Sequence, residues 1–436
     1  MLISFAVTNW ASFRNRTEFS LIASKERQHG ERLTSMRKVG GRILPTALIF
    51  GGNAAGKSNF CRAVSFVRNF ILNSNRKRAG AAISVRPFYL DASMAQCPST
   101  FEIVLSCAEE KVYRYEFSVD HSQVYSEKVT QIFSTSEKLV YSREGEQYVF
   151  AGLANEGGIL DLIAKTVPSN QLFLTVAAVQ KVSCLNEIYA WFDRNLVIIY
   201  PGSHYHEFDT YTDSCSNTYD KINELLGQLD TGIVRLVNKD IPVEAVPQPF
   251  QSVVASDIRE GVTVKVNIDD GRSMYMITRE KGVVKAGEIQ AIHKSMDGNE
   301  VPFKLTFESD GTRRIIDLLP AFIGLSSGAE KTTFVIDEID RCLHHNVLRK
   351  LIELFLNNRG SDNQSQLIFT TQDLLLMNQE LFRRDEMWIA TRDEHGISSL
   401  DGICDFEPAR YDKNILRSYL LGRMRGVPHV GTLHVE

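Results

Sequence analysis

Four short runs of this chain hold residue types whose spacing suits phosphate chemistry. In GGNAAGKS (51–58) glycines bracket a turn of small residues that ends in Lys57 and Ser58, fitting G-x-x-x-x-G-K-[ST]. Glycines there let backbone N–H groups turn inward around an anion, and a helix starting at the same place adds the positive end of its dipole. Gly51, Asn53, Gly56 and Asn59 belong to this loop and its exit; Lys57 is long enough to reach outer phosphates, and the Ser58 hydroxyl suits a hard cation. In TTFVIDEID (332–340) an apolar stretch stops at Asp337, which suits a cation held through water, and at Glu338, which suits a base acting on water. ESDGTRR (308–314) puts Ser309 and Gly311 at the start of a helical pattern, a second place where amides and a hydroxyl face an anion. LIFTTQD (367–373) ends an apolar run on Gln372, an amide that can donate to a phosphate oxygen or place a water but cannot take a positive charge.

Each run has a plain structural alternative when taken alone: a chance Gly/Ala turn, two carboxylates capping a helix, a serine cap, or a glutamine that is a packing variant of no consequence. Context decides between them. A phosphate loop requires a buried strand before it and a helix after it, and both are present in the pattern. LPTALIF (44–50) is an apolar run bounded by Pro45 and two glycines, and SNFCRAVSFVRNFIL (58–72) sets Phe60, Val64, Val67 and Ile71 at helical spacing. Residues 2–8 and 17–23 read as a first pair of strands, and the polar, basic run 24–42 as an exposed loop. Short strand patterns dominate from 83 to 150, helical ones from 155 to 195, and a strand follows at 195–202. The run 204–217 is polar and aromatic and reads as a loop, a helix is expected around 218–229, and strands from 252 to 308. In the last third, FKLTF, TRRIIDLLPAFI, TTFVID, HNVLRKLIELFLN and SQLIFTT alternate strand and helix, which predicts a parallel sheet flanked by helices.

The fold class expected is therefore α/β, with mixed and parallel sheets in two lobes. The boundaries expected are an N-terminal lobe at 1–180, an irregular middle region at 181–300, and a C-terminal lobe at 301–436. No heptad pattern is sustained long enough for a coiled-coil arm. With 49 Lys+Arg against 53 Asp+Glu, the formal charge of −4 supplies no global basic field to attract nucleic acid. No apolar run approaches the roughly 20 residues that span a bilayer. The seven cysteines are scattered without a C-x-x-C pair, which suits reduced thiols and a cytoplasmic location.

In this order the motifs resemble the ATP-binding-cassette class that includes SMC, RecF and OLD-type ATPases. They look most like the compact bacterial AAA-family ATPases of anti-phage defence operons, such as those of PARIS, Septu and retrons. FAVTNWASF, PSTFEIVL, YRYEF, RRDEMWIA and YLLGRMRGVP carry the likeness beyond the phosphate loop. The resemblance implies ATP and Mg²⁺ as cofactors, with Ser58 and Asp337 at the metal, Lys57 and Glu338 at the reacting phosphate, and Gln372 where relatives carry histidine. It implies a head-to-tail homodimer or a higher oligomer built from such dimers. In it, Ser309 and Gly311 of one subunit close over the ATP of the other, with Asp340 across the interface. Gln171 is the candidate for the glutamine of the Q-loop. A separate effector or toxin is the partner implied, DNA a further one, and no membrane. A RecF-like clamp acting in DNA repair and a scaffold that binds ATP without hydrolysing it are the rival readings. Cys342, His344 and His345 invite a zinc site and His204 with His206 a metal pair, but neighbouring residues at a helix start point apart, and a polar loop is solvated by default. The short basic run Arg76–Lys77–Arg78 reads as solvated surface.

Overall fold

A run that is apolar at every position needs cover on both faces, and Thr46–Phe50 is such a strand, with all five residues buried. It sits inside a sheet with the order Leu196–Ile199, Thr333–Ile336, Gln366–Thr370, Thr46–Phe50, Met387–Arg392, Ser398–Gly402. Thr333–Ile336, Gln366–Thr370, Thr46–Phe50 and Met387–Arg392 run parallel to one another, and Ser398–Gly402 closes the edge antiparallel. The computed structural model describes residues 1–153, 157–202, 217–248, 258, 260–261, 263–268, 272–328, 331–360, 362–406 and 414–427. The chain is α/β, with parallel and antiparallel sheets flanked by helices.

Two compact units emerge, and they do not follow the three consecutive segments expected from sequence. One holds Met1–Ile198, Gly328–Ile339 and Arg359–Glu436; the other holds Ile199–Ser327 and Asp340–Asn358. The reason is strand pairing: segments near both ends of the chain share one parallel sheet, so a cut by position along the sequence crosses a hydrogen-bonded ladder.

The first unit also contains an antiparallel sheet with the order Gln147–Phe150, Glu137–Glu144, Val124–Ile132, Val112–Val119, Ser99–Ser106, Leu2–Thr8, Thr17–Ser20. The helix Lys57–Asn73 buries its aromatic face against that sheet. Phe60 meets Phe5 edge-on at 5.6 Å, Phe66 lies 5.2 Å from Phe101, and Phe70 lies 6.0 Å from Phe117. Truncating one such ring costs about 3–5 kcal/mol, so this face fixes the helix and with it the loop at its start. The two sheets are joined by a buried amide. Gln366 Oε1 accepts from the Leu2 amide (2.6 Å) and the Thr333 hydroxyl (2.9 Å), and its Nε2 donates to the Leu2 carbonyl (2.9 Å).

The polar run 24–42 is not a free loop. It contains a hairpin of Thr34–Met36 with Gly41–Ile43, in which Leu33, Met36 and Ile43 are buried. Arginines staple it down. Arg32 donates to the Leu381 carbonyl at 2.8 Å, Arg359 to the Arg32 carbonyl at 3.0 Å, and fully buried Arg383 to the Glu26 carbonyl at 3.1 Å. Composition concealed this, because a guanidinium can be buried when backbone carbonyls satisfy its fork.

In the second unit, Arg235–Ile241, Val283–Lys294, Ser273–Glu280 and Thr263–Ile268 form an antiparallel sheet, with Glu300–Lys304 beside Val283–Lys294. FKLTF therefore does not feed the parallel sheet as expected: it ends an antiparallel edge strand carrying Pro302 and passes into a 3-10 turn, Leu305–Phe307. The helices Asn217–Gln228, Asp310–Ser327 and His345–Asn357 belong to this unit. His344 caps the last of these, its Nδ1 accepting from the Asn346 amide at 3.2 Å. The run 204–216, with His204 and His206, lies outside the described residues, as does all of 249–257, which includes the start of the expected strand region.

Candidate phosphate site

The phosphate loop leaves the tip of Thr46–Phe50 and enters Lys57–Asn73, the strand–loop–helix order its motif requires. Two of its glycines are there for want of space. At Gly51 a β-carbon would stand 2.5 Å from the Ala390 carbonyl oxygen, and at Gly56, with φ +116°, 2.6 Å from the Ser398 hydroxyl. Any side chain at either point would push the loop off its neighbours and close the cradle. Lys57 is buried, and its ammonium donates to the carbonyls of Gly51 (2.6 Å) and Gly52 (3.0 Å), so the loop curls around the lysine head. The Ser58 side chain is half-buried at the first turn of the helix. Asn59 donates to the Ser12 hydroxyl at 2.9 Å, and its carbonyl accepts from the Trp10 indole at 3.1 Å, which ties the N-terminal NWASF turn to the loop exit.

Sheet order explains what LIFTTQD presents. Its strand, Gln366–Thr370, lies between the strand that leads to the phosphate loop and the one that leads to Asp337. Residues just past its tip therefore sit between the loop and the carboxylates. Thr370 is the hub. Its hydroxyl donates to Asp337 Oδ1 at 2.6 Å and accepts from the Glu338 amide at 2.8 Å, and its carbonyl accepts from the Ile339 amide at 3.1 Å. Three consecutive residues are thus fixed by one threonine. Glu338 needs that support, because its φ of +48° is left-handed, a conformation that costs a non-glycine residue about 1–3 kcal/mol. On the far side Gln372, which is exposed, donates to Asn53 Oδ1 at 3.1 Å and so reaches the phosphate loop directly.

Asp337 is buried, and a second donor meets it from the helix: the thiol of Cys61, also buried. Burial pushes that thiol well above its ordinary range, and the adjacent Asp337 carboxylate pushes it further, so it stays protonated as a donor. Sequence reasoning missed both Thr370 and Cys61. A signal existed for the first, since a hydroxyl at a strand tip facing two carboxylates in the next strand is a natural clasp. None existed for Cys61, whose proximity to Asp337 depends on how the helix crosses the sheet.

Gly51, Asn53, Gly56, Lys57, Ser58, Asn59, Asp337, Glu338 and Gln372 all lie in the first unit. Ser309, Gly311 and Asp340 belong to the second. There Ser309 caps the helix Asp310–Ser327, its hydroxyl oxygen accepting from the Thr312 amide at 3.0 Å. Gly311 is required by packing within the chain, because a β-carbon would meet the Cys342 carbonyl oxygen at 2.6 Å. Asp340 opens a turn whose Leu343 amide returns to its carbonyl at 3.0 Å. Gln171 is buried in the first unit, its side-chain amide donating to the Lys77 carbonyl at 2.8 Å and its carbonyl accepting from Arg143 at 2.8 Å. Among the described residues, none of its hydrogen bonds reaches 51–58.

The residues present fit a nucleoside triphosphate with a divalent cation. A β-carbon at either glycine would collide with the strands behind the loop, the lysine ammonium is held by the loop carbonyls, and a hydroxyl and a buried carboxylate form an oxygen donor set suited to Mg²⁺. Ser58 and Asp337 would hold the cation, directly or through water, and it would supply charge neutralisation at the phosphates. The chain's own groups would do the rest. Lys57 and the loop amides would bind and orient, Glu338 would accept a proton from water, and Gln372 would position that water through its amide.

No curated protein sequence matches the chain significantly. Similar solved structures include the SMC head domain from Thermotoga maritima, with 13% identity, 92% of this chain and 98% of that one covered, and a TM-score of 0.38. The SMC head bound to the C-winged helix domain of ScpA gives 13%, 92%, 97% and 0.40, and RecF-ATP of the RecFOR pathway gives 12%, 92%, 99% and 0.33. A family profile matches residues 47–378, from the strand before the phosphate loop to just past Gln372. The chain belongs to that family, described as "AAA domain, putative AbiEii toxin, Type IV TA system".

Proposed function

We propose that the chain is a slow ATPase that closes as a head-to-tail homodimer around ATP and Mg²⁺ and, through that closure, holds or releases a separate effector protein in anti-phage defence. The observation that carries the hydrolytic part is the clasp at Thr370. A strained glutamate is held at fixed orientation beside a buried aspartate, one strand away from the phosphate loop. A scaffold that only held ATP would have no use for a base kept in a costly backbone conformation. Gln372 supports slow turnover: it can place a water, yet it cannot become a cation and so does not stabilise developing negative charge as an imidazolium would. The dimer rests on Ser309 and Gly311, whose helix start offers a second anion cradle that one triphosphate in one subunit does not need. The family's description names a toxin–antitoxin system, which supports a protein partner as what the nucleotide cycle controls.

The test is phosphate release from purified protein with Mg²⁺-ATP. Slow release that is lost in Glu338→Gln upholds the reading, whereas equal release from both proteins contradicts it. Tight DNA binding that requires ATP and falls steeply with salt would replace effector control with a DNA clamp.

A further inference from the structure

The second unit contains a pocket of about 360 Å³ lined by Arg272, Arg313, Arg314 and Arg341 together with Asp310 and Asp317. Four guanidinium groups against two carboxylates leave an excess of two positive charges. The carboxylates are already engaged: Asp310 pairs with Arg313, and Asp317 lies 3.5 Å from Arg314. The Arg314–Asp317 pair is sheltered, its side chains being 8% and 4% exposed, whereas Asp310 reaches out to solvent from the largely buried Arg313. Arg272 and Arg341 stand at the exposed rim, and among the described residues no hydrogen bond or ion pair is made to either. Both therefore keep their fork of donors turned to whatever enters.

We propose that this pocket binds a small phosphate dianion, free or as a monoester, clamped by Arg272 and Arg341 over the inner ion pairs. A phosphate near neutral pH carries about −1.5 to −2 charge, which matches the excess, and its oxygens fit the planar fork of arginine, which binds two at a time. The volume falls in the range of small-molecule sites, about 300–1,000 Å³, so an organic group beyond the phosphate has room. Electrostatics point the same way. Burial, the larger effect, lowers the pKa of Arg314; Asp317 partly opposes this, and the nearby Arg341 lowers it further. An anion between the two arginines would remove that repulsion. This site is separate from the phosphate loop and does not depend on hydrolysis, although Asp310 and Arg313 share the helix start that the proposed dimer uses.

Titration calorimetry on the full chain tests it, with the phosphate loop first saturated by a non-hydrolysable ATP analogue and Mg²⁺. The probes are inorganic phosphate, AMP and adenosine. Binding of phosphate or AMP to the preloaded protein, without binding of adenosine, is the expected result. Equal affinities assign the site to phosphate alone, and tighter AMP binding assigns it to a monoester. Arg272→Ala and Arg341→Ala should each weaken binding about tenfold or more, with Arg341→Lys between them and the unaltered protein. Both arginines are exposed, so these variants should melt with the parent. Three outcomes would overturn the assignment: no heat at millimolar phosphate or AMP, binding that vanishes once the phosphate loop is filled, or binding indifferent to both alanine substitutions.

Discussion

Replacing Thr370 with valine removes one hydroxyl, keeps the β-branch, and asks whether the clasp orders the carboxylates. The side chain is fully buried, so no water takes the hydroxyl's place. Its bond to Asp337 at 2.6 Å is one to a carboxylate, a class that contributes about 1.5–3 kcal/mol. The bond from the Glu338 amide at 2.8 Å is partly exposed and contributes at the low end, about 0.5 kcal/mol. Together the loss is about 2–3.5 kcal/mol, or a fall of about 5 °C in Tm for a unit of this size. The catalytic cost should exceed the thermal one. With its amide released, Glu338 has no reason to keep φ at +48°, and a base displaced by an ångström costs about a hundredfold in rate. Phosphate release and differential scanning fluorimetry on Thr370→Val and Thr370→Ser measure both effects. Serine keeps the hydroxyl and should retain most of each. A valine variant that melts and hydrolyses like the parent would refute the assignment of Thr370 as the clasp.

Three further outcomes follow from the same geometry. Gln372→His should leave ATP turnover unchanged or raise it, since the exposed Asn53 contact it gives up is weak and the imidazole can carry charge; a collapse of turnover would make the glutamine itself catalytic. Gly56→Ala places a β-carbon 2.6 Å from Ser398 Oγ at φ +116°, so titration with a fluorescent ATP analogue should show binding lost, together with about 1–3 kcal/mol of stability; intact binding would mean that the loop tolerates a side chain there. Burial raises the Glu386 carboxyl to about 8, while its Oε2 accepts from the Arg383 amide at 2.8 Å. A carboxyl raised on folding favours the native state below its unfolded pKa, and that contribution disappears as pH climbs through about 8. Urea melts of the parent should therefore weaken from pH 5 to 8 by up to about 1.4 kcal/mol per unit, and Glu386→Gln should flatten the slope; a steeper slope in the variant would reverse the sign.

What the sequence made legible was local chemistry whose context is also local. The phosphate loop needs only the strand before it and the helix after it, and both patterns lie within the 30 residues from 44 to 73. Asp337 and Glu338 end an apolar strand, so their position at a strand tip could be read directly. What could not be read depends on pairings across hundreds of residues. Thr370 becomes a clasp only because its strand lies next to that of Asp337, and Cys61 becomes a donor only because a helix from the other end of the chain crosses there. FKLTF looked like a βα unit because its apolar pattern fits either sheet; only the pairing of Glu300–Lys304 with Val283–Lys294 decides between them. The basic run 24–42 looked solvated because composition carries no information about the Leu381 carbonyl that accepts from its Arg32, or about Arg383, which donates to its Glu26 carbonyl. Gln171 was singled out by its place before an apolar stretch, where the structure shows an amide holding the Lys77 backbone.

Closure of two subunits over ATP is the claim on which effector control rests. The direct measurement is the mass of Glu338→Gln protein in solution, by light scattering after chromatography, with and without saturating Mg²⁺-ATP. A monomer that becomes a stable dimer on adding nucleotide, and stays monomeric when Ser309→Arg is added to the same chain, is the predicted result. Protein that remains monomeric with ATP bound would contradict it.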